Sequence, residues 1–452
     1  MLTTLHSAAH FLAAHWRWRT LNPDRLAAFQ ERRAREVVRY AHAHSPFYRA
    51  HWQGHDLDDW RNLPTVDKAL MMAHFDRFNT RGVPCAAAMA VALQAERSRD
   101  FAPTVDGLTV GLSSGTSGHR GLFLVSPQEQ AAWAGMILAR ALHGLKPRRT
   151  RVAFFLRSHS NLYAQANGTL LHLHYFDLMA PLAQSIAALN AYQPHIVVGP
   201  PSLLGLLADA QERTLEGAMA AHSLHITPER LIAVAEVLEP QDEARLVRCF
   251  GAPVHQIYQC TEGLLAISCP HGALHLQEDI AAVQCEPLPD AADGLSRVTP
   301  VVTDLWRRTQ PIIRYRLNDV LQLEDRTGVC PCGSPFHVIR RIEGRCDDLC
   351  YFVGQDGARR PFFPDTIRRA VLLAEAPIVD YTAVQERDGH LRVHLLLPLD
   401  RDSAAAAAAR QVVAASVAQT VQQYGCRPPQ VEVDTHLPPA APGSKRRRVR
   451  RV

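Results

Sequence analysis

Four short runs rich in β-branched and aromatic residues recur through the middle of the chain: RVAFFL (151–156), HIVVG (195–199), RLIAVAE (230–236) and VHQIY (254–258). Longer stretches with helical spacing separate them, such as PPSLLGLLADAQERT (200–214). Strands that alternate with helices are joined most economically as crossover units, so the pattern predicts layered α/β structure. From about Pro287 to Asp325 the text changes to RVTPVVTDLW, IIRYRL and VLQLED, which reads as a β-rich part of the same body. The first hundred residues read as helices, with PDRLAAFQERRAREVVRYAHAH opening on the start signal Asn22-Pro23-Asp24.

A break follows near EGRCDD (343–348). Beyond it, AVQERDGHLRVHLLLPL reads as a hairpin, RDSAAAAAARQVVAASVAQTVQQYG as a helix capped by Asp402 or Ser403 and ended by Gly425, and QVEVDT as a strand. The expected organisation is α/β, with a large N-terminal domain over 1–347 and a small α+β C-terminal domain over 348–452.

The 452 residues suffice for two to four domains of roughly 100–200 residues. Hydrophobic residues make up 47% and charged residues 21%, and no apolar run reaches the roughly 20 residues that a membrane span needs. The net charge of +5 sits in one place: without KRRRVRR (445–451) the chain holds 43 basic against 44 acidic residues. A basic face for nucleic acid is therefore not expected over the body of the chain. Ten cysteines scattered along a long chain, together with the lack of a leader pattern, point to a reducing, cytoplasmic compartment.

The stretch VGLSSGTSGHRGLFLVSP (110–127) packs Ser113, Ser114, Gly115, Thr116, Ser117 and Gly118 in a row. Such a row can wrap a polyanion through backbone donors and hydroxyls, or it can be an ordinary surface turn. It lacks the spacing of a Walker A loop.

Taken with four later segments in order, this loop resembles that of the adenylate-forming superfamily, in particular its phenylacetate-CoA ligase and coenzyme F390 synthetase branch. Those segments are IYQCTEG (257–263), TDLWRRTQPIIRYRLNDV (303–320), IEGRCDDLCYFVG (342–354) and PPAAPGSKRRRVRRV (438–452). The resemblance implies that SSGTSG grips the phosphates of ATP, although the Lys-Pro that usually follows is here His119-Arg120. It further implies that Tyr258 stacks near adenine, Thr261 reaches phosphate, Glu262 binds Mg²⁺, and Asp319 and Arg345 contact the ribose or phosphates. Glu236, in a turn where Ala235 replaces the family glycine, joins the nucleotide set. Asp347 is placed at a hinge that makes the small domain mobile, Gly354 where a pantetheine arm enters, and Lys445 as the terminal catalytic lysine.

Cys269 and His275 in CPHGALH, with Cys330 and Cys332 in CPCGSP, form a candidate Cys₃His zinc set. His271 is a rival ligand, and unliganded thiols are the alternative. The function implied is ATP-dependent activation of a small carboxylic acid, aromatic by branch, as an acyl-adenylate, then transfer to the thiol of coenzyme A or an acyl carrier protein. Two other readings stay open at this point: a nucleotidyl transferase that leaves AMP on its acceptor, and a noncatalytic scaffold whose basic tail binds polyanions.

Overall fold

The computed structural model describes residues 2–113, 121–142, 148–156, 171–178, 180–215, 223–288, 295–324, 330–387, 389–401, 403–438 and 447–452. The chain divides into two compact units. The first takes Met1–Gln284, Val301–Leu317 and Glu324–Arg340, and the second takes Cys285–Pro300, Asn318–Leu323 and Arg341–Val452.

The first unit opens with helices α1 (Leu2–Thr20), α2 (Pro23–His44), α3 (Pro46–His51), α4 (Lys68–Ala73), α5 (Phe75–Phe78) and α6 (Cys85–Ser98). Asn22 caps α2 as its sequence signal indicates, accepting from the Arg25 N–H at 2.9 Å. A small antiparallel sheet follows, made of β1 (Thr104–Val105), β2 (Leu108–Leu112) and β3 (Leu122–Val125), and then α7 (Pro127–Ala141).

The main sheet comes next. Strands β4 (Thr150–Leu156), β5 (Leu171–Asp177), β6 (Ile196–Gly199), β7 (Arg230–Val234) and β8 (Val254–Cys260) lie parallel in the order β5-β4-β6-β7-β8. Helices α8 (Leu182–Tyr192), α9 (Pro201–Leu215) and α10 (Pro240–Phe250) make the crossovers. Both faces of the sheet are covered, because successive side chains point to opposite sides. Val197, Leu231 and Ala233 pack among Leu189, Leu204, Leu207 and Leu246 of the crossover helices. Val152, Ile196, Val198 and Ile232 pack with Met136 and Ala139 of α7 and Ala14 of α1. That double burial explains why these strands read as continuous apolar runs.

The sheet then turns antiparallel through β9 (Gly263–Ser268) and β10 (Leu274–Leu276), beside which Val338 and Ile339 pair with His275 and Leu274. Strand β11 (Ala281–Pro287) leads out of this region. Within the first unit, Val301 and Val302 of β12 (Val298–Asp304) pair with Arg316 and Tyr315 of β13 (Tyr315–Arg316).

In the second unit, Val298 of β12 pairs with Leu321 of β14 (Asp319–Leu323), and β15 (Val338–Arg345) brings in its last residues. A hairpin of β16 (Cys350–Val353) and β17 (Arg359–Phe362) precedes α11 (Pro364–Leu372). Strands β18 (Asp380–Gln385) and β19 (Leu391–Leu396) form the hairpin read from the sequence, and α12 (Ala404–Gln423), β20 (Val431–Asp434) and β21 (Val449–Arg451) complete an α+β layer ordered β20-β19-β18-β21. Ser403 caps α12, accepting from the Ala406 N–H at 3.1 Å, while Asp402 lies outside the described residues. Val413, Val417 and Val421 of α12 bury one helical face against Tyr381, Val393 and Leu395 of the sheet.

Candidate active site

Strands β8 and β9 are joined by Thr261 and Glu262 alone, with Cys260 paired to Gly263, so the motif read at a strand end is the tip of a tight hairpin. An irregularity in register between Tyr258 and Gln259 re-aims the strand just before it. Glu262 is only 6% exposed. Its Oε2 accepts from the Thr261 hydroxyl at 2.8 Å and its Oε1 from the Tyr315 hydroxyl at 3.1 Å. Burial and the neighbouring carboxylate push the Tyr315 phenol well above its ordinary range, so it stays a donor. No ion pair joins Glu262 to a basic residue among the described residues. A buried carboxylate held only by hydroxyls suits a hard divalent cation.

Two further side chains brace the tip. Arg307 donates through Nη1 to the Thr261 carbonyl at 2.7 Å, and the Asp304 carboxylate accepts from the Trp306 and Arg307 backbone N–H groups at 2.8 and 2.9 Å. Burial pushes the Asp304 carboxyl above its usual value. Glu129, in the capping box of α7, accepts from the Arg308 and Thr309 N–H groups at 2.6 and 2.8 Å and so ties this segment to the helix. Tyr258 is half-buried against Val302, Leu305 and their neighbours.

Of the small-residue loop, Ser113 is described and Ser114, Gly115, Thr116, Ser117 and Gly118 lie outside the described residues, as do His119 and Arg120. The Ser113 N–H donates to the Gly121 carbonyl at 2.8 Å and Ser113 Oγ accepts from the Gly121 N–H at 2.7 Å, which closes the neck of a β2–β3 hairpin. Glu236 accepts from the Ser202 N–H of α9 at 3.1 Å, directly after Ala235 at φ +68°.

In the second unit, Asp319 and Arg345, predicted separately, come together as an ion pair at 3.6 Å. The backbone of Asp347 lies in a short 3₁₀ turn, Cys346–Asp348, and its side chain is outside the described residues. Gly354 bridges to Cys426, and a Cβ there would lie 2.3 Å from Asp356 Oδ1, so a side chain would have to displace that carboxylate. Lys445 lies outside the described residues. Two of the basic residues after it, Arg447 and Arg448, are engaged in ion pairs, while Arg450 and Arg451 are exposed. Arg447 pairs with the buried Asp348, Arg448 with Asp380 at 3.1 Å, and Val449 starts a strand beside Ala383.

Cys269, His275, Cys330 and Cys332 converge in the first unit, with all four donor atoms within 4.8 Å of one another. His275, not His271, completes the set. The Sγ atoms of Cys269 and Cys330 lie 3.7 Å apart, and Cys332 Sγ lies 3.4 Å from His275 Nε2. Zinc bonds of ordinary length at a tetrahedral angle would give about 3.8 Å and about 3.6 Å for such pairs. The Phe336 carbonyl accepts from His275 Nδ1 at 3.0 Å, which leaves the Nε2 lone pair aimed at the thiols. Burial lowers the His275 pKa and keeps the ring neutral, as a ligand requires.

Sequence reading overlooked Tyr315, Arg307 and Asp304, although all three stand inside the quoted segment 303–320.

No family model and no curated protein sequence matches the chain. Among solved structures it is similar to 2-hydroxyisobutyryl-CoA ligase in the postadenylation state with 2-HIB-AMP, at 19% identity and a TM-score of 0.68, covering 96% of this chain and 91% of that one. The same ligase in an open conformation with 2-HIB-AMP and CoA matches at 19% identity and a TM-score of 0.61, over 95% and 91% of the two chains. An ATP-bound RpMatB-BxBclM chimera matches at 17% identity and a TM-score of 0.51, over 75% and 67%. Likeness along nearly the whole chain at such low identity is a likeness of architecture, and it shows that this chain shares the fold of 2-hydroxyisobutyryl-CoA ligase.

Proposed function

We propose that the chain activates a carboxylic acid with ATP as an acyl-adenylate and passes the acyl group to the thiol of coenzyme A. The observation that carries this reading is Glu262, a buried carboxylate without an ion-pair partner among the described residues, held by Thr261 and Tyr315 at a hairpin tip of a CoA-ligase fold. The acid's carboxylate attacks the α-phosphorus of ATP and pyrophosphate leaves. Tyr258 lies along adenine, Asp319 and Arg345 hold the ribose, and donors of Ser113–Gly118 hold the β- and γ-phosphates. Mg²⁺ held by Glu262 would offset the charge that develops on the leaving group. Lys445 stabilises the crowded α-phosphate. In the second half, the thiol attacks the acyl carbonyl, AMP leaves and the thiol proton passes to solvent. Gly354 leaves space for the pantetheine arm.

The acid is aromatic, of the phenylacetate or hydroxybenzoate type, on the strength of the resemblance in the ordered motifs. Zinc at Cys269, His275, Cys330 and Cys332 is structural, because the protein supplies all four ligands and leaves no open position.

Acid-dependent exchange of pyrophosphate into ATP, measured across aromatic and aliphatic acids, tests the first half; AMP and thioester in equal amounts after adding CoA test the second. Exchange with no acid in the panel refutes the reading. AMP left on the acceptor without thioester makes the chain a nucleotidyl transferase, and thioester on a carrier protein alone replaces CoA as acceptor. Metal analysis is expected to give about one zinc per chain, and well under one removes the zinc assignment.

A further inference from the structure

Lysine is scarce here: Lys68, Lys146 and Lys445 are the only three among 49 basic residues. Lys146 and Lys445 lie outside the described residues. Lys68 is half-buried at the first position of α4, and its Nζ donates to Ser113 Oγ at 3.3 Å. No carboxylate pairs with it among the described residues. Its ammonium therefore stands at the neck of the small-residue loop, on the same oxygen that accepts from the Gly121 N–H.

The placement is braced from several sides. Two residues before Lys68, Val66 bridges Tyr315: the Val66 N–H donates to the Arg314 carbonyl at 3.0 Å, and the Arg316 N–H to the Val66 carbonyl at 2.8 Å. Asp67 caps α4 by accepting from the Leu70 N–H at 2.8 Å. From the other end of α4, Met72 Sδ accepts from the Leu122 N–H at 3.3 Å, which ties the helix to the strand that leaves the loop. A Cβ at Gly121 would come within 3.2 Å of Lys68 Cε, so the glycine leaves room for the lysine stem. The short segment 314–316 thus holds the stretch carrying Lys68 through the Arg314 carbonyl and the Arg316 N–H, and Glu262 through the Tyr315 hydroxyl.

A half-buried ammonium that has a serine hydroxyl but no counter-ion among the described residues is short of negative charge there, and an anion would offset that shortage. An ammonium also differs from a guanidinium here, being a compact point charge with three rotatable donors that can follow a phosphate chain. We propose that Lys68 is the cation that neutralises the β- and γ-phosphates of ATP at the loop neck. It takes the place of the lysine that follows this loop in the family pattern and that this chain replaces with His119-Arg120. The assignment rests on the ATP-binding reading above.

Direct binding of ATP, inorganic tripolyphosphate and AMP to the full chain and to Lys68→Met tests it, since methionine keeps most of the stem and removes the charge. Expected is a loss of roughly ten- to a hundredfold in affinity for ATP and tripolyphosphate, the worth of one charged hydrogen bond, with AMP affinity unchanged. Unchanged ATP affinity overturns the proposal, and so does an equal loss for ATP and AMP, which marks a structural role. Lys68→Gln serves as the second variant should the methionine form not fold. Failure of the unmodified chain to bind ATP is a different result, because it removes the nucleotide site itself and this proposal with it.

Discussion

Ala235 holds a φ of +68° in an exposed position, in the turn that delivers Glu236 to the start of α9. A Cβ in the left-handed region crowds the adjacent carbonyl, and an exposed methyl gains little packing to offset that strain. The conformation persists because Glu236 is pulled back to the Ser202 N–H and β7 ends in register with β8. Ala235→Gly is expected to raise stability by about 1 kcal/mol, the strain relieved outweighing the added freedom of the unfolded chain. A urea-unfolding midpoint that stays put or falls would show that the turn carries no such strain. Glu262 shows the same dependence of one residue on distant ones. Its oxygens are aimed by Thr261 next to it and by Tyr315, 53 positions away, and Arg307 holds the Thr261 carbonyl from 46 positions away.

Helix α1 packs on α7 and is fastened to the first unit by charge as well as by apolar contact. Arg17 of α1 donates to Asp279 Oδ2 at 2.6 Å, and Arg140 of α7 donates to both oxygens of the same carboxylate, at 3.0 and 2.9 Å. Arg140 also stands over the Trp18 ring at 4.9 Å. Burial alone would raise the Asp279 pKa, but the Arg140 and Arg17 guanidiniums outweigh it and hold the carboxyl below its usual range. A depressed carboxyl pKa stabilises the fold at pH values above the unfolded-state value, and that contribution disappears as pH falls through the folded-state value. Asp279 should therefore contribute fully above about pH 4–5 and progressively less at lower pH. Asp279→Asn leaves two buried guanidiniums short of charge, and a loss of roughly 3–5 kcal/mol is expected at neutral pH, shrinking in acid. Unfolding measured at pH 7 and pH 3 checks this; a loss of the same size at both values would mean that the side chain matters by shape and not by charge.

At the scale of the whole chain, the strands of the main sheet were legible because they are buried on both faces, which leaves runs such as HIVVG without polar interruption. The set Cys269, His275, Cys330 and Cys332 was legible in the sequence with His271 as a rival, and the structure brings His275 to the three thiols because β10 pairs beside residues 338–339. Lys68, Tyr315 and Arg307 were not legible as site residues, since each acts across 45 or more positions and none changes the local pattern. The tail is the sharpest case. As a sequence, KRRRVRR admits a solvated polyanion-binding run, yet Arg447 and Arg448 are paired with Asp348 and Asp380 and the last residues form a strand. Arg447 and Arg448 thus hold the described end of the chain by ion pairs within the second unit. If Lys445 acts on the α-phosphate and Asp347 in a hinge, two substitutions should split the reaction in opposite ways. Lys445→Ala is expected to lower acid-dependent pyrophosphate exchange by roughly a hundredfold or more, the scale of a lost transition-state contact, and to leave thioester formation from supplied acyl-adenylate nearly intact. Asp347→Pro, which restricts φ at the turn, should spare exchange and slow the thioester half. Single-turnover assays of each half measure both, and equal loss of the two halves in either variant would refute the role given to that residue.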